Sequence, residues 1–236
     1  MTSLVDAGWN DWLDSAKELV TSTPQTPAAS SILASDEIIA GLKQALGIGV
    51  EKAIAILGTQ GGFLDDAGVR IPLPDNLETV ADGLRAVGQD QLVDEFVTAM
   101  NRAAEQAVPE TLGVFTETIR GMTLEDARGI LDGGDTAATD YFRDNSGTRL
   151  SQAILPIVQR ATEQTGVTAS YKRLTGKVGF LGSYINMDAL DLDQYVTTRA
   201  LDGLFLKLAQ QEQLIRADPA ARTTDLLQKV FGAVAR

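Results

Sequence analysis

Apolar residues recur every three or four positions along most of this chain, the spacing that places side chains on one face of an α-helix. The first clear run begins after Ser35, a residue suited to the start of a helix. It stops before Gly58, a residue suited to the end of one. The pattern therefore predicts a helix over 35–57, with apolar positions at Ile39, Leu42, Leu46, Val50, Ala53 and Leu57.

Further helices are predicted between proline, glycine and polar capping residues. Thr123 and Asp126 have the spacing of a capping box, and Asp135 is placed to cap the helix that follows it. Asn145-Ser-Gly147 is expected to break that helix, and Pro156 to kink the next one or mark a boundary. The remaining apolar runs cover 74–87, 90–107, 109–121, 124–131, 135–144, 149–165, 195–216 and 222–234.

No segment alternates apolar and polar residues as a half-buried strand does. The chain is therefore predicted to be all-α, a helical bundle of about eight to ten helices in one body or two subdomains. This domain is predicted over 35–236. Residues 1–34 are interpreted as an N-terminal tail, in which a short amphipathic helix bearing Trp9 and Trp12 precedes a linker rich in Pro, Ser and Thr.

Composition narrows the chemistry that the chain can carry. It has neither cysteine nor histidine, which excludes disulfides, thiolate metal sites and every mechanism that uses an imidazole. Its 32 acidic and 20 basic residues give a net charge of −12, which repels nucleic acid and anionic membrane surfaces. Apolar stretches long enough to span a membrane are absent, so the chain is predicted not to be transmembrane.

The first residues, Met1-Thr-Ser-Leu-Val-Asp-Ala-Gly8, lack the basic start and apolar core of a signal peptide. Two interpretations remain open. Either the protein is cytosolic, or the sequence is that of a mature protein whose leader has been removed.

Several short strings in the chain are weak singly and specific together, and in their order they resemble the bacterial family called domain of unknown function 4197. The resemblance spans about 35–232. It implies a periplasmic or envelope protein of a Gram-negative bacterium, because members of the family often carry a secretion leader, and it implies no activity. The strings are Ile71–Pro74, Met100–Glu105, Asp126–Leu131, Ala137–Arg143, Pro156–Val158, Tyr195–Thr197, Ala200–Phe205 and Pro219–Phe231.

Acidic residues beside glycine make one candidate metal site, at Asp132, Asp135 and Asp140. Oxygen ligands of this kind suit calcium or magnesium, the only cofactors that the sequence suggests. The spacing does not fit an EF-hand, since Ala137 takes the place of its glycine and Arg143 that of its final glutamate. A glycine end-cap followed by an aspartate start-cap explains the same residues without a metal.

Candidate ligand-binding residues are polar side chains that lie beside apolar stripes or near helix ends. Asn101 and Glu105 are four residues apart on one predicted helix, where they can face a cleft. Arg222 precedes a predicted helix start, where an anion can bind. The complete set is Asn101, Glu105, Arg120, Tyr141, Arg143, Arg216 and Arg222.

A helical, acidic chain without histidine or cysteine is most simply a non-catalytic binding protein, whose partner is another protein or a small apolar ligand. A carboxylate-dependent enzyme is the first alternative, and it requires two carboxyl groups to converge in a pocket. Binding of a divalent metal at Asp132, Asp135 and Asp140 is the second. The sequence does not determine the oligomeric state.

Overall fold

Helices account for the regular structure of the part of the chain that the computed structural model describes, namely residues 35–164, 166, 169, 170, 173 and 191–217. Two of them are 3-10 helices, Asp75–Leu77 and Val108–Thr111. No β-strand occurs in this part of the chain, which confirms the all-α prediction. The α-helices are α1 (Ser35–Leu57), α2 (Glu78–Ala86), α3 (Asp90–Ala107), α4 (Leu112–Gly121), α5 (Leu124–Asp132), α6 (Ala137–Gln164) and α7 (Leu192–Ala217).

The long helices α6 and α7 pack most extensively against each other, and α1, α3, α4 and α5 surround this pair. Their apolar faces form one continuous core, with Phe63, Phe96, Phe115 and Phe142 among its largest fully buried side chains. The predicted N-terminal tail with Trp9 and Trp12, and the predicted helix after Pro219, lie outside the described residues.

Helix α6 corrects one prediction, because it continues through Asn145-Ser-Gly147, where a break was expected. Two polar side chains in this stretch bond to their own helix. The Asn145 amide donates to the Tyr141 carbonyl at 2.9 Å, and the Ser146 hydroxyl donates to the Phe142 carbonyl at 2.6 Å. Since Ser146 and Leu150 are buried, tertiary packing outweighs the weak helix preference of this sequence. Pro156 also lies inside α6.

Residues 58–74, called here the strap, connect α1 to the first 3-10 helix without regular structure. The strap buries Phe63, Val69, Ile71 and Leu73 in the core. Gly203 of α7 makes this close packing possible, since a Cβ atom there would lie 2.8 Å from the Phe63 ring. The strap therefore lies directly against α7.

Candidate functional site

The side chain of Asn101, in α3, forms hydrogen bonds with the backbone of the strap. The buried side-chain amide donates to the Ile71 carbonyl at 2.9 Å and to the Val97 carbonyl at 2.8 Å. Its oxygen accepts from the Ile71 N–H at 2.8 Å. Asn101 was predicted to face a cleft, but both of its side-chain polar atoms are hydrogen-bonded to the strap or to its own helix.

Glu105, one turn further along α3, binds the backbone at the other end of the strap. Its Oε1 accepts from the backbone N–H groups of Gly61, Phe63 and Leu64 at 3.1–3.3 Å. Its Oε2 pairs with Arg102 at 2.7 Å. Only 4% of the residue is exposed, so Glu105 is a buried and fully bonded carboxylate.

Two side chains of α7 also bond to the strap. The Tyr195 hydroxyl donates to the Pro72 carbonyl at 3.1 Å, and Lys207 pairs with Asp66 at 2.5 Å. The hydrogen bond from Lys207, and a second one from the Gly68 N–H, lower the pKa of Asp66. Burial raises the pKa of Tyr195. The strap is thus bonded to both α3 and α7.

The start of α6 is capped by a residue that the sequence prediction missed. Glu212 of α7 accepts from the backbone N–H groups of Ala138 and Thr139 and from the Thr139 hydroxyl, each at 2.9 Å. This carboxylate, and not the expected Asp135, satisfies the free donors of the helix start. An anion from solution would therefore find these N–H groups occupied.

Arg216 completes this buried arrangement. It binds Glu212 Oε1 through Nε at 3.0 Å and Nη2 at 2.8 Å, and Nη2 also reaches the Ile130 carbonyl at 2.7 Å. Arg216 was predicted to bind a ligand, whereas it joins α7 to α5. A Glu and an Arg four residues apart, flanked by the apolar Leu208 and Ile215, are the sequence signal for such a pair.

A groove lies between the strap, α6 and α7, and it is the strongest candidate for a functional site. Three arginines line it: Arg70 from the strap, Arg143 from α6 and Arg199 from α7. Two aspartates, Asp140 and Asp202, line it as well. Its volume is about 450 Å³. Of the residues predicted from sequence, Arg143 and Asp140 meet here.

Aromatic rings support two of the three arginines. The Arg143 guanidinium carbon lies 4.4 Å from the centre of the Phe205 ring, and that of Arg199 lies 5.4 Å from the Tyr195 ring. Stacking of this kind restrains the guanidinium of Arg143 and leaves its N–H edge available for an anion. Among the described residues, no carboxylate lies within 4.0 Å of the guanidinium nitrogens of Arg70, Arg143 or Arg199.

Two other predicted residues lie outside the groove, and one is not described. Arg120 is exposed at the end of α4, where its carbonyl accepts a 2.9 Å hydrogen bond from Lys43. Tyr141 is half-buried and meets the Phe142 ring edge-on at 6.0 Å. Its pKa is raised by burial and by the negative charge of Asp126. Arg222 lies outside the described residues.

The structure does not bring the three predicted metal ligands together. Asp132, at the end of α5, and Asp135, before α6, are both exposed. Asp140 accepts from the Thr136 hydroxyl at 3.1 Å and faces the groove. Within the described ranges, no group of three or more acidic side chains is placed to hold a metal ion.

An apolar cavity lies at the junction of α1, α5, α6 and α7, beside Glu212 and Arg216. The volume of this cavity is about 30 Å³, whereas that of the groove is about 450 Å³. Small-molecule sites are typically about 300–1,000 Å³, so this cavity is too narrow for a purely apolar ligand of that size. The groove remains the better candidate.

Fold and groove together define an all-helical domain with an arginine-lined surface groove, and no helix in the described part of the chain has the length and apolar character needed to cross a bilayer. Residues 32–232 match the family model described as "Protein of unknown function (DUF4197)", which covers most of the chain. The chain belongs to this family, and the predicted resemblance is confirmed. No curated protein and no solved structure matches it.

Proposed function

We propose that the protein is a non-catalytic binding domain of the bacterial cell envelope, and that the groove between the strap, α6 and α7 binds an anionic ligand. The observation that carries this proposal is the state of Arg143. Its guanidinium is stacked on Phe205, faces the groove, and has no carboxylate partner among the described residues. In a chain with 32 acidic residues, such an arginine is unusually available to an outside anion.

The walls of the groove are already fixed, which favours binding. Arg70 and Pro72 belong to the strap, which Asn101 and Glu105 hold by its backbone. Arg143 lies one turn beyond Thr139, which Glu212 holds. A ligand then need not order the loop that contacts it, so less of its binding energy is lost to conformational entropy.

Segments that carry the family resemblance also meet in this groove. Ile71–Pro74 contributes Pro72, Ala137–Arg143 contributes Asp140 and Arg143, and Ala200–Phe205 contributes Asp202 and Phe205. The groove is therefore assembled from three separate stretches by which the family is recognised. This supports a role for the groove that is shared within the family.

A carboxylate-dependent enzyme fits the structure less well. The two buried carboxylates of the described residues, Glu105 and Glu212, are each bonded to backbone N–H groups and an arginine. Asp140 and Asp202 share the groove, but both are exposed. A catalytic pair of carboxyl groups needs a pocket that excludes water, and these two aspartates lie at the surface.

The envelope location rests on the resemblance to secreted family members. It is tested by osmotic-shock fractionation of cells that express the gene from its natural start. Release of the protein with the periplasmic fraction supports this location, and retention with cytosolic markers contradicts it.

Binding is tested by titrating ¹⁵N-labelled protein with benzoate and with inorganic phosphate, followed by amide chemical shifts. Arg143→Ala is the test variant. Arg128→Ala is the matched control, because Arg128 is also exposed and has no carboxylate partner in the described ranges, but lies on α5, outside the groove. We expect saturable shifts in the strap and α7, and about a tenfold or greater loss of affinity in Arg143→Ala only. Equal affinity in both variants, or no saturable shift with either anion, contradicts the proposal.

A further inference from the structure

We infer that the ligand of this groove is an amphipathic monocarboxylate, a molecule with one negative head and an apolar body. This inference rests on the proposed function, since it specifies which anion the same groove takes. The arrangement of charge in the groove, its apolar wall and its size each contribute.

The charges in the groove favour a single negative charge. Three guanidinium groups, those of Arg70, Arg143 and Arg199, face two carboxylates, those of Asp140 and Asp202. One positive charge is therefore in excess, and a monoanion neutralises it. A dianion would bring its second charge against an aspartate from α6 or α7, and the net charge of −12 adds to that repulsion.

The planar guanidinium of Arg143 favours a carboxylate as the negative head of the ligand. The Arg143 guanidinium lies over the Phe205 ring, with its carbon 4.4 Å from the ring centre, and this contact restrains it. Two parallel N–H donors from one guanidinium match the two oxygens of a carboxylate. The start of α6 does not supply donors to this head, because Glu212 already accepts from Ala138 and Thr139.

An apolar body is favoured by the wall between the arginines. Val69, Leu206 and Ala209 line the groove together with Phe205. Leu206 is 41% exposed, one of the few large apolar side chains at the surface of the described residues. Gly68 and Gly203 add no side chains to the floor. Each CH₂ group that covers this wall gains about 0.8 kcal/mol at most, so a chain of several carbons matters for affinity.

The volume of about 450 Å³ agrees with a small organic acid. It lies within the range of about 300–1,000 Å³ that is typical of small-molecule sites. A bare ion such as acetate would leave the apolar wall uncovered. The groove is therefore matched to a molecule that spans both the arginines and Leu206.

Three ligands of the same chain length test whether the groove requires a negative head and whether it requires a single charge. They are octanoate, octanol and octanedioate. Isothermal titration calorimetry, with amide shifts to locate the site, gives the affinity of each for the wild-type protein. We expect octanoate to bind about tenfold or more tightly than octanol, which lacks the charge, and than octanedioate, which has a second one. Arg143→Ala should remove the advantage of octanoate over octanol, while Arg128→Ala should keep it.

Replacing the two aspartates of the groove should change its preference between a monoanion and a dianion. In Asp140→Asn/Asp202→Asn, the groove keeps its shape but loses both negative charges, and both side chains are exposed, so folding should persist. We expect octanedioate to gain at least about fivefold in affinity relative to octanoate. Asp132→Asn, an exposed aspartate outside the groove, is the matched control and should change neither affinity.

The outcomes separate this inference from the proposed function. If octanedioate or phosphate binds in an Arg143-dependent way at least as tightly as octanoate, the groove is an anion site and the inference about its ligand is wrong. If octanol equals octanoate, the charged head is irrelevant and the inference fails as well. If no anion binds in an Arg143-dependent way, both are wrong.

Discussion

Two regions of this molecule use polar side chains in opposite ways. In the interior, Asn101, Glu105 and Glu212 are buried, and each is bonded to backbone groups of another segment. In the groove, Arg70 and Arg143 are exposed, face shared space, and have no carboxylate partner among the described residues. The interior side chains hold segments in place, whereas the arginines of the groove have N–H donors that no described carboxylate accepts.

The difference shows that burial alone does not identify a functional polar residue in a helical domain. A buried polar group that satisfies all its hydrogen bonds stabilises the fold, since leaving it unsatisfied would be costly. On the function that we propose, an arginine that a ring restrains and that has no carboxylate partner in the described part of the chain is instead available to a ligand. Four substitutions test whether this division holds, beginning with the one expected to cost most.

Glu105→Ala should have the largest effect on stability. It leaves the N–H groups of Gly61, Phe63 and Leu64 without an acceptor and removes the partner of Arg102. Breaking a buried charged network of this kind costs about 3–5 kcal/mol. Urea denaturation followed by circular dichroism measures the change. The exposed Glu110→Ala is the control and should change the free energy of unfolding by less than about 0.5 kcal/mol.

Glu212→Gln should have the next largest effect. The amide keeps the shape of the side chain and one acceptor oxygen, but its NH2 group puts a donor either where Ala138 and Arg216 or where Thr139 requires an acceptor. We expect a loss of about 1–3 kcal/mol in the free energy of unfolding. Amide hydrogen exchange should rise first at Ala138 and Thr139. A variant as stable as the exposed control Glu163→Gln would show that Glu212 does not cap α6 in solution.

Periodicity made the fold predictable from sequence, because the apolar faces of helices such as α1 and α3 are visible in the spacing alone. The capping box of Thr123 and Asp126 was also readable, since both of its bonds are local. The continuity of α6 was not, because burial of Ser146 and Leu150 by other helices decides it.

The candidate site was only partly predictable, for the same reason. Asn101 and Glu105 were recognised as unusual polar residues beside an apolar face, but their partners lie 30 or more positions away in the strap. Arg143 was identified as a site residue. Arg70 and Arg199 were not, because only the packing of the strap against α7 brings them beside it. Sequence patterns show which face of a helix is apolar, but not which segments will share a groove.

Tyr195→Phe should have a smaller effect that depends on pH. It removes the hydrogen bond from the hydroxyl to the Pro72 carbonyl, worth about 1 kcal/mol. Burial raises the pKa of Tyr195 above its ordinary value of 10.0, so the folded state favours the protonated phenol. Its contribution is therefore complete below pH 10.0 and is lost as the pH rises through the higher pKa of the folded state.

Unfolding free energies of Tyr195→Phe and wild type, measured from neutral to alkaline pH, check this expectation. The difference between the two proteins should narrow above pH 10.0. A constant difference across this range would show that the hydroxyl proton does not contribute to holding the strap.

Arg143→Ala should have the smallest effect on stability, and it tests the division most directly. Within the described part of the chain, the contact that Arg143→Ala removes is the one with the Phe205 ring, which is worth about 0.5–1 kcal/mol at an exposed site. The same variant is expected to lose ligand affinity by about a factor of ten. A large effect on binding with a small effect on folding is what distinguishes a groove residue from Glu105. If thermal denaturation instead shows a loss comparable to that of Glu105→Ala, and Arg128→Ala does not, then Arg143 is part of the framework. The arginines of the groove would then be structural, and the contrast between the two regions would not hold.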